Sequence, residues 1–266
     1  MKKSLIRVFL SLVTRMAVVL VALTGITVAA ENIPSSARSA EQPCCGPVTP
    51  AAQAILTVLD RSDVEHLWLN HHHVNWETGQ PDKPDDYSGP GNHTHCSAFA
   101  AAMGARLGVY MLRPPEHSQI LLASAQTRWF DSQEGRQAGW IRAADALHAQ
   151  QLANQGMLVV ISYESPDKHR PGHIVIVRPS LITLARLRAE GPYITQAGTH
   201  NLLVGNAATA FAGHPGAWPD GVKFFCARIT AMTPGEMRGQ FSLWCKRPGT
   251  VAFCPPFFTP ESESLR

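Results

Sequence analysis

The chain has 266 residues, of which 45% are hydrophobic and 16% charged, fewer charges than the about 25% of an ordinary soluble domain. That composition excludes a highly charged disordered chain. A formal charge of +3 is too small for nucleic-acid binding, which calls for a clustered basic face.

The first 30 residues carry that excess. Lys2, Lys3, Arg7 and Arg15 are their only charges, and an apolar run from Met16 ends in Val28-Ala29-Ala30. A charged start, a short apolar core and a small-residue cleavage site are expected of a signal peptide, and the run is shorter than the ~20 residues of a spanning helix. Residues 1–30 are therefore expected to be cleaved, sending the protein to the periplasm or medium with no stable membrane span. Removing four cations from 23 leaves 19 basic against 20 acidic residues, a net charge of −1. The mature chain then has no electrostatic reason to seek nucleic acid or acidic lipid.

Residues 31–49, rich in Ser, Ala and Pro, read as a flexible linker, 50–230 as one domain, and 231–266 as a C-terminal extension and tail. Pro50 opens an expected helix with Ile55, Val58 and Leu59 on one face. Residues 78–92 form a Gly- and Pro-rich loop. A second helix is expected from Cys96 to Leu107, with Cys96, Phe99, Ala100, Met103 and Leu107 at helical spacing, Thr94 as N-cap and Gly108 as stop. Helical patterns follow near 117–130 and 143–155, ended by Gly156. Strands are then expected at Met157–Tyr163, His173–Val177, Tyr193–Gln196 and Val222–Ile229. Helices followed by consecutive strands indicate an α+β fold with an antiparallel sheet.

Six cysteines are present. Export permits disulfides. Cys245 and Cys254 bracket a Pro-Gly turn and make the easiest pair. Adjacent Cys44 and Cys45 are not expected to pair with each other, because that strains the chain; each is expected to reach elsewhere, with Cys226 one partner open to them and the connectivity not fixed by sequence.

Cys96 stands where a nucleophilic thiol is most useful, at the start of an apolar helix. Unpaired N–H groups and the positive end of the helix dipole favour a thiolate there and can receive an oxyanion. His173 opens an apolar strand after Gly172 and is the candidate base. Gln196, on the next strand, can accept a hydrogen bond from the imidazole and fix its tautomer. Asn201 and Asn206 are rivals for that role.

His95-Cys96-Ser97-Ala98-Phe99, Gly172-His173-Ile174-Val175-Ile176-Val177 and Thr195-Gln196-Ala197-Gly198 together resemble the NlpC-type family of papain-like cysteine peptidases and its CHAP and amidase relatives, over about residues 50–230. The resemblance implies a nucleophile Cys at a helix start packed on an antiparallel sheet, with Cys96 as nucleophile, His173 as base and Gln196 as orienting residue. It also implies cleavage of amide bonds in peptidoglycan peptides. Tyr87, upstream of the Cys96 loop, is similar to a site tyrosine of relatives. With Asn92 and His95 it forms the expected substrate-binding set. This chain departs from the common pattern at His95, Ala98 and Val175, where relatives carry Asp, Gly and Gly, and in having Gln at the third position.

No cofactor is implied. His71, His72 and His73, with His93 and His95, invite a metal. Three consecutive histidines do not face one way, however, and no HExxH or paired CxxC spacing is present, so no metal site is expected. The competing expectations are a noncatalytic cell-wall- or metal-binding module with Cys96 buried or paired, and a Cys-His acyltransferase sharing the thioester step.

Overall fold

The computed structural model describes residues 42–91 and 93–230. The leader, Asn92, the tail, and with it Cys245 and Cys254, lie outside the described residues. Thr49 caps the first helix, α1 (Pro50–Asp60), accepting the Ala52 N–H at 3.2 Å, with Pro50 in the first turn. That start costs no hydrogen bond, because the first-turn N–H groups have no helical acceptor. There follow α2 (Cys96–Arg106), α3 (Leu122–Asp131), α4 (Gln133–Gln137), β1 (Ile141–Ala143), α5 (Ala146–Asn154), β2 (Met157–Tyr163), β3 (His173–Val177), α6 (Leu184–Glu190), β4 (Tyr193–Gln196), β5 (Leu202–Asn206), α7 (Ala207–Phe211) and β6 (Lys223–Arg228).

The six strands form one antiparallel sheet in the order β1-β6-β2-β3-β4-β5. Both faces are covered, and the period of two along each strand decides which residue goes where. Leu158, Val160, Ile174, Ile176 and Phe225 join one core with α1, α2 and α3. Val159, Ile161, Val175, Val177 and Cys226 join a second core with α5 and α7. Burial on both sides explains why β2 and β3 read as unbroken apolar runs. The α+β class with an antiparallel sheet is as the sequence indicates.

Several local expectations change. The 117–130 pattern begins as an irregular turn and becomes helical only at Leu122, after Leu121 adopts a left-handed φ of 54°. α4, β1, β5, α6 and α7 are not among the expected elements; α4 forms across Gly135, with Ser132 capping it through the Gly135 N–H. The end of the expected flexible linker is tied down. Pro43 bridges to Thr183, Cys44 donates its N–H to Ile182 at 3.1 Å, and Thr49 donates its own to Asn154 at 3.0 Å. The Asn154 side chain donates to the Cys45, Gly46 and Ser180 carbonyls, so one buried amide holds this segment to α5.

The cysteine expectation is overturned as well. Cys44 and Cys45 form a disulfide with each other, while Cys226 is free and buried. Neither neighbour can reach Cys226: the segment is pinned against Ile182 and Leu187 in a small separate cluster, whereas Cys226 faces the second core and directs its sulfur at the Ile141 carbonyl, 3.6 Å away.

Candidate active site

Helix α2 runs through the middle of the first core, with every residue from Cys96 to Gly104 buried. Its small side chains let it lie directly on β3. His95, not Thr94, is the N-cap residue, and it makes no side-chain capping bond. The N–H groups that open the helix are therefore left for another acceptor. Those of Cys96 and Ser97, together with the Ile174 N–H of β3, turn toward the Cys96 sulfur. A sulfur so placed is next to the residue that follows His173, with the dipole's positive end behind it.

Cys96 is nevertheless only 3% exposed. Burial pushes its thiol up to about 11, and the three N–H groups only partly counter this. The expectation of a standing thiolate is thus corrected. Removing a charge from water costs more than the helix terminus returns, and the resting group is a neutral thiol.

His173 sits at the start of β3, opposite Tyr163 of β2. Gly172 before it is required by space: a Cβ would lie 2.1 Å from the Tyr163 carbonyl oxygen. The Gly172 N–H is held by Ser124 of α3 at 3.1 Å. The imidazole Nε2 meets Gln196 Oε1 at 2.8 Å, and the same Gln196 side chain donates through Nε2 to the His200 carbonyl at 3.0 Å. Since a carbonyl can only accept, the second bond sets which end of the amide faces the imidazole. His173 must then carry its proton on Nε2, leaving a lone pair on Nδ1, the atom a general base needs. Burial lowers His173 to about 4; the Gln196 bond opposes this and His214 adds to it. The Cys96 thiol and the His173 imidazole therefore both rest uncharged near neutral pH.

The rivals of Gln196 are occupied elsewhere. Asn201 Oδ1 accepts the Gly198 N–H, and its amide donates to Val64 and Leu67 carbonyls. Asn206 caps α7 through the Thr209 N–H.

Two cavities open beside His173 and the start of α2, and Cys96 itself lines neither. One, of about 630 Å³, is lined by His173, Gln196 and His214. The other, of about 710 Å³, is lined by His95, Ser97 and Gln119. Thr94, Pro171 and Thr199 border both.

The substrate-binding set is dispersed. His95 lines the second cavity, but its buried imidazole is bonded to the His72 carbonyl at 2.7 Å, which fastens the upstream loop to the start of α2. Tyr87 lines neither cavity; its hydroxyl donates to the Pro90 carbonyl at 3.1 Å and its ring meets His73 edge-on. In the histidine run, His73 pairs with Asp82, and His72 approaches Asp85 at 3.8 Å. Among the described residues no group of three or more His, Cys, Asp or Glu is placed to hold a metal.

Two neighbours of His173 carry no sequence signal. His214 stacks on His173, 4.9 Å between centroids and 12° from parallel, and Phe211 meets it edge-on at 5.1 Å. Together they cover the ring and fix its plane.

A pH dependence of stability follows. Burial lowers both His95 and His173 to about 4, whereas the unfolded chain titrates near 6.5. Between those values the unfolded state binds more protons, so stability is level above pH ~7 and falls as pH drops toward 4, by roughly 3 kcal/mol per histidine. Urea unfolding at pH 7 and 4.5 measures it. His95→Gln should remove the His95 share of that fall, and an unchanged pH slope would contradict it.

No protein-family model matches the chain, and no curated protein matches it in sequence.

Proposed function

We propose that this protein is a papain-like cysteine hydrolase, similar to the NlpC type, that cleaves amide bonds in peptidoglycan peptides after export. The observation that carries the reading is the His173 Nε2–Gln196 Oε1 hydrogen bond of 2.8 Å. It leaves Nδ1 as the basic atom, one residue from the Ile174 N–H that faces the Cys96 sulfur. The chain order Cys, His, polar residue and the elements that bear them, a helix start and successive antiparallel strands, also support it.

In this mechanism Cys96 Sγ bonds to the amide carbon while His173 Nδ1 takes its proton. The oxyanion is received by the Cys96 and Ser97 N–H groups. The C–N bond then breaks as His173 returns the proton to the leaving amine. Water, deprotonated by His173, next attacks the thioester; the acid product leaves and Cys96 recovers its proton.

Incubation of the mature protein with isolated peptidoglycan sacculi tests the reading. New muropeptides with a newly freed amine should appear, and Cys96→Ala should produce none. Identical profiles from both proteins would refute a cysteine mechanism. The 3% exposure of Cys96 favours a second reading, a noncatalytic wall-binding module on this scaffold. That module would bind sacculi without changing them, equally in both proteins.

A further inference from the structure

The hydrolase reading assigns the two cavities to the two halves of the substrate. His173 must hand its proton to the leaving nitrogen, so the amine half lies on the His173 side, in the cavity of about 630 Å³. The acyl half then lies toward Ser97. The cavities differ in charge. Among its described lining residues the acyl-side cavity has no Arg, Lys, Asp or Glu. The amine-side cavity has Arg170 and Asp167, with His200 and His214 beside them.

Arg170 and Asp167 belong to the turn between β2 and β3, where the Arg170 N–H donates to the Asp167 carbonyl at 3.1 Å. The Asp167 carboxylate accepts the His169 N–H at 2.9 Å. Arg170 makes no ion pair among the described residues. Burial lowers His214, the half-buried ring stacked on His173, and the Arg170 charge lowers it further. An unpaired guanidinium fork at the wall of a concave site suits a carboxylate, which it can hold by two parallel hydrogen bonds.

We propose that the amine half of the substrate carries a carboxylate, held by Arg170 while His173 protonates the nitrogen. The released product is then an amino acid or short peptide with its carboxylate near the new amine. The inference rests on the hydrolase reading and adds the substrate class. Arg170 is a specificity residue here; bond making and breaking remain with Cys96 and His173.

N-acetylated peptides made in pairs, one member ending in a free carboxylate and the other in a carboxamide, test it by release of the terminal amine. The wild-type protein should prefer the carboxylate member by about 10- to 100-fold in kcat/KM, as a charge-assisted pair allows. Arg170→Gln should bring that ratio close to one, chiefly through KM, and Arg170→Lys should restore part of it. Equal cleavage of both members by wild-type protein, or a preference that persists in Arg170→Gln, would overturn the inference and leave the hydrolase reading intact. Absence of Cys96-dependent cleavage of every pair would overturn the inference together with the reading on which it rests.

Discussion

On an amide that the wild-type protein hydrolyses, Cys96→Ala should be slower by at least roughly 10⁴-fold, because the proposed covalent intermediate forms on its sulfur. The remaining described free thiol, Cys226, lies in the core on the opposite face of the sheet. His173→Ala should lose roughly 10²–10⁴-fold, the contribution of a positioned acid and base. The loss in His173→Ala has a particular cause here. Burial holds the Cys96 thiol up near 11, so without a base the sulfur stays protonated at neutral pH. The double variant should be about as slow as Cys96→Ala alone, since groups that act in one step do not contribute independently. Initial rates on one substrate, with thermal melts to show that the variants fold, measure this. A His173→Ala rate within a factor of about three of wild type would exclude the imidazole from proton transfer.

Phe130→Ala should cost about 3–5 kcal/mol of folding stability, the usual range for emptying a buried aromatic site. Phe130 is 1% exposed and packs on Trp140 and Phe225 with centroids 4.4 and 5.0 Å away, which joins α3 to β6. Trp140 is itself anchored, its indole N–H donating to the Tyr110 carbonyl at 2.7 Å, so the surroundings cannot easily collapse into the void. Trp129, only partly buried on the same helix, should cost less when replaced by Ala. The effect extends to the site because α3 holds both of its sides: Gln126 donates to the Ser97 carbonyl at 3.2 Å, and Ser124 accepts the Gly172 N–H. Urea unfolding measures the loss, and a cost below about 1 kcal/mol would show that this aromatic cluster is not the support described.

The parts of this architecture that could be read from sequence are those set by local periodicity. The helix from Cys96 follows from apolar residues at helical spacing, and β2 and β3 from uninterrupted apolar runs that match burial on both faces. His173 stands out because it opens one of those runs, and Gln196 because it closes the next strand. Gln196 could not be separated from Asn201 and Asn206, since only folding shows that the two asparagines spend their amides on loop carbonyls and a helix cap. β5 was missed because it is half-exposed and carries Gly205, and β1 because three residues show no periodicity. The Cys44–Cys45 disulfide, the His214 stack and the neutral thiol all depend on depth and on distant neighbours. For Cys96 a helix terminus and burial act in opposite directions, and sequence position reveals only the first.

Alkylation of the folded protein by iodoacetamide at neutral pH, followed residue by residue by peptide mass mapping in wild-type and His173→Ala protein, bears most directly on a Cys96–His173 nucleophile. Cys96 should react faster than Cys226 and slow by about tenfold or more when His173 is removed, as it must if the imidazole is the base that frees the sulfur. A Cys96 as inert as Cys226, or one that reacts at the same rate with and without His173, would contradict that role.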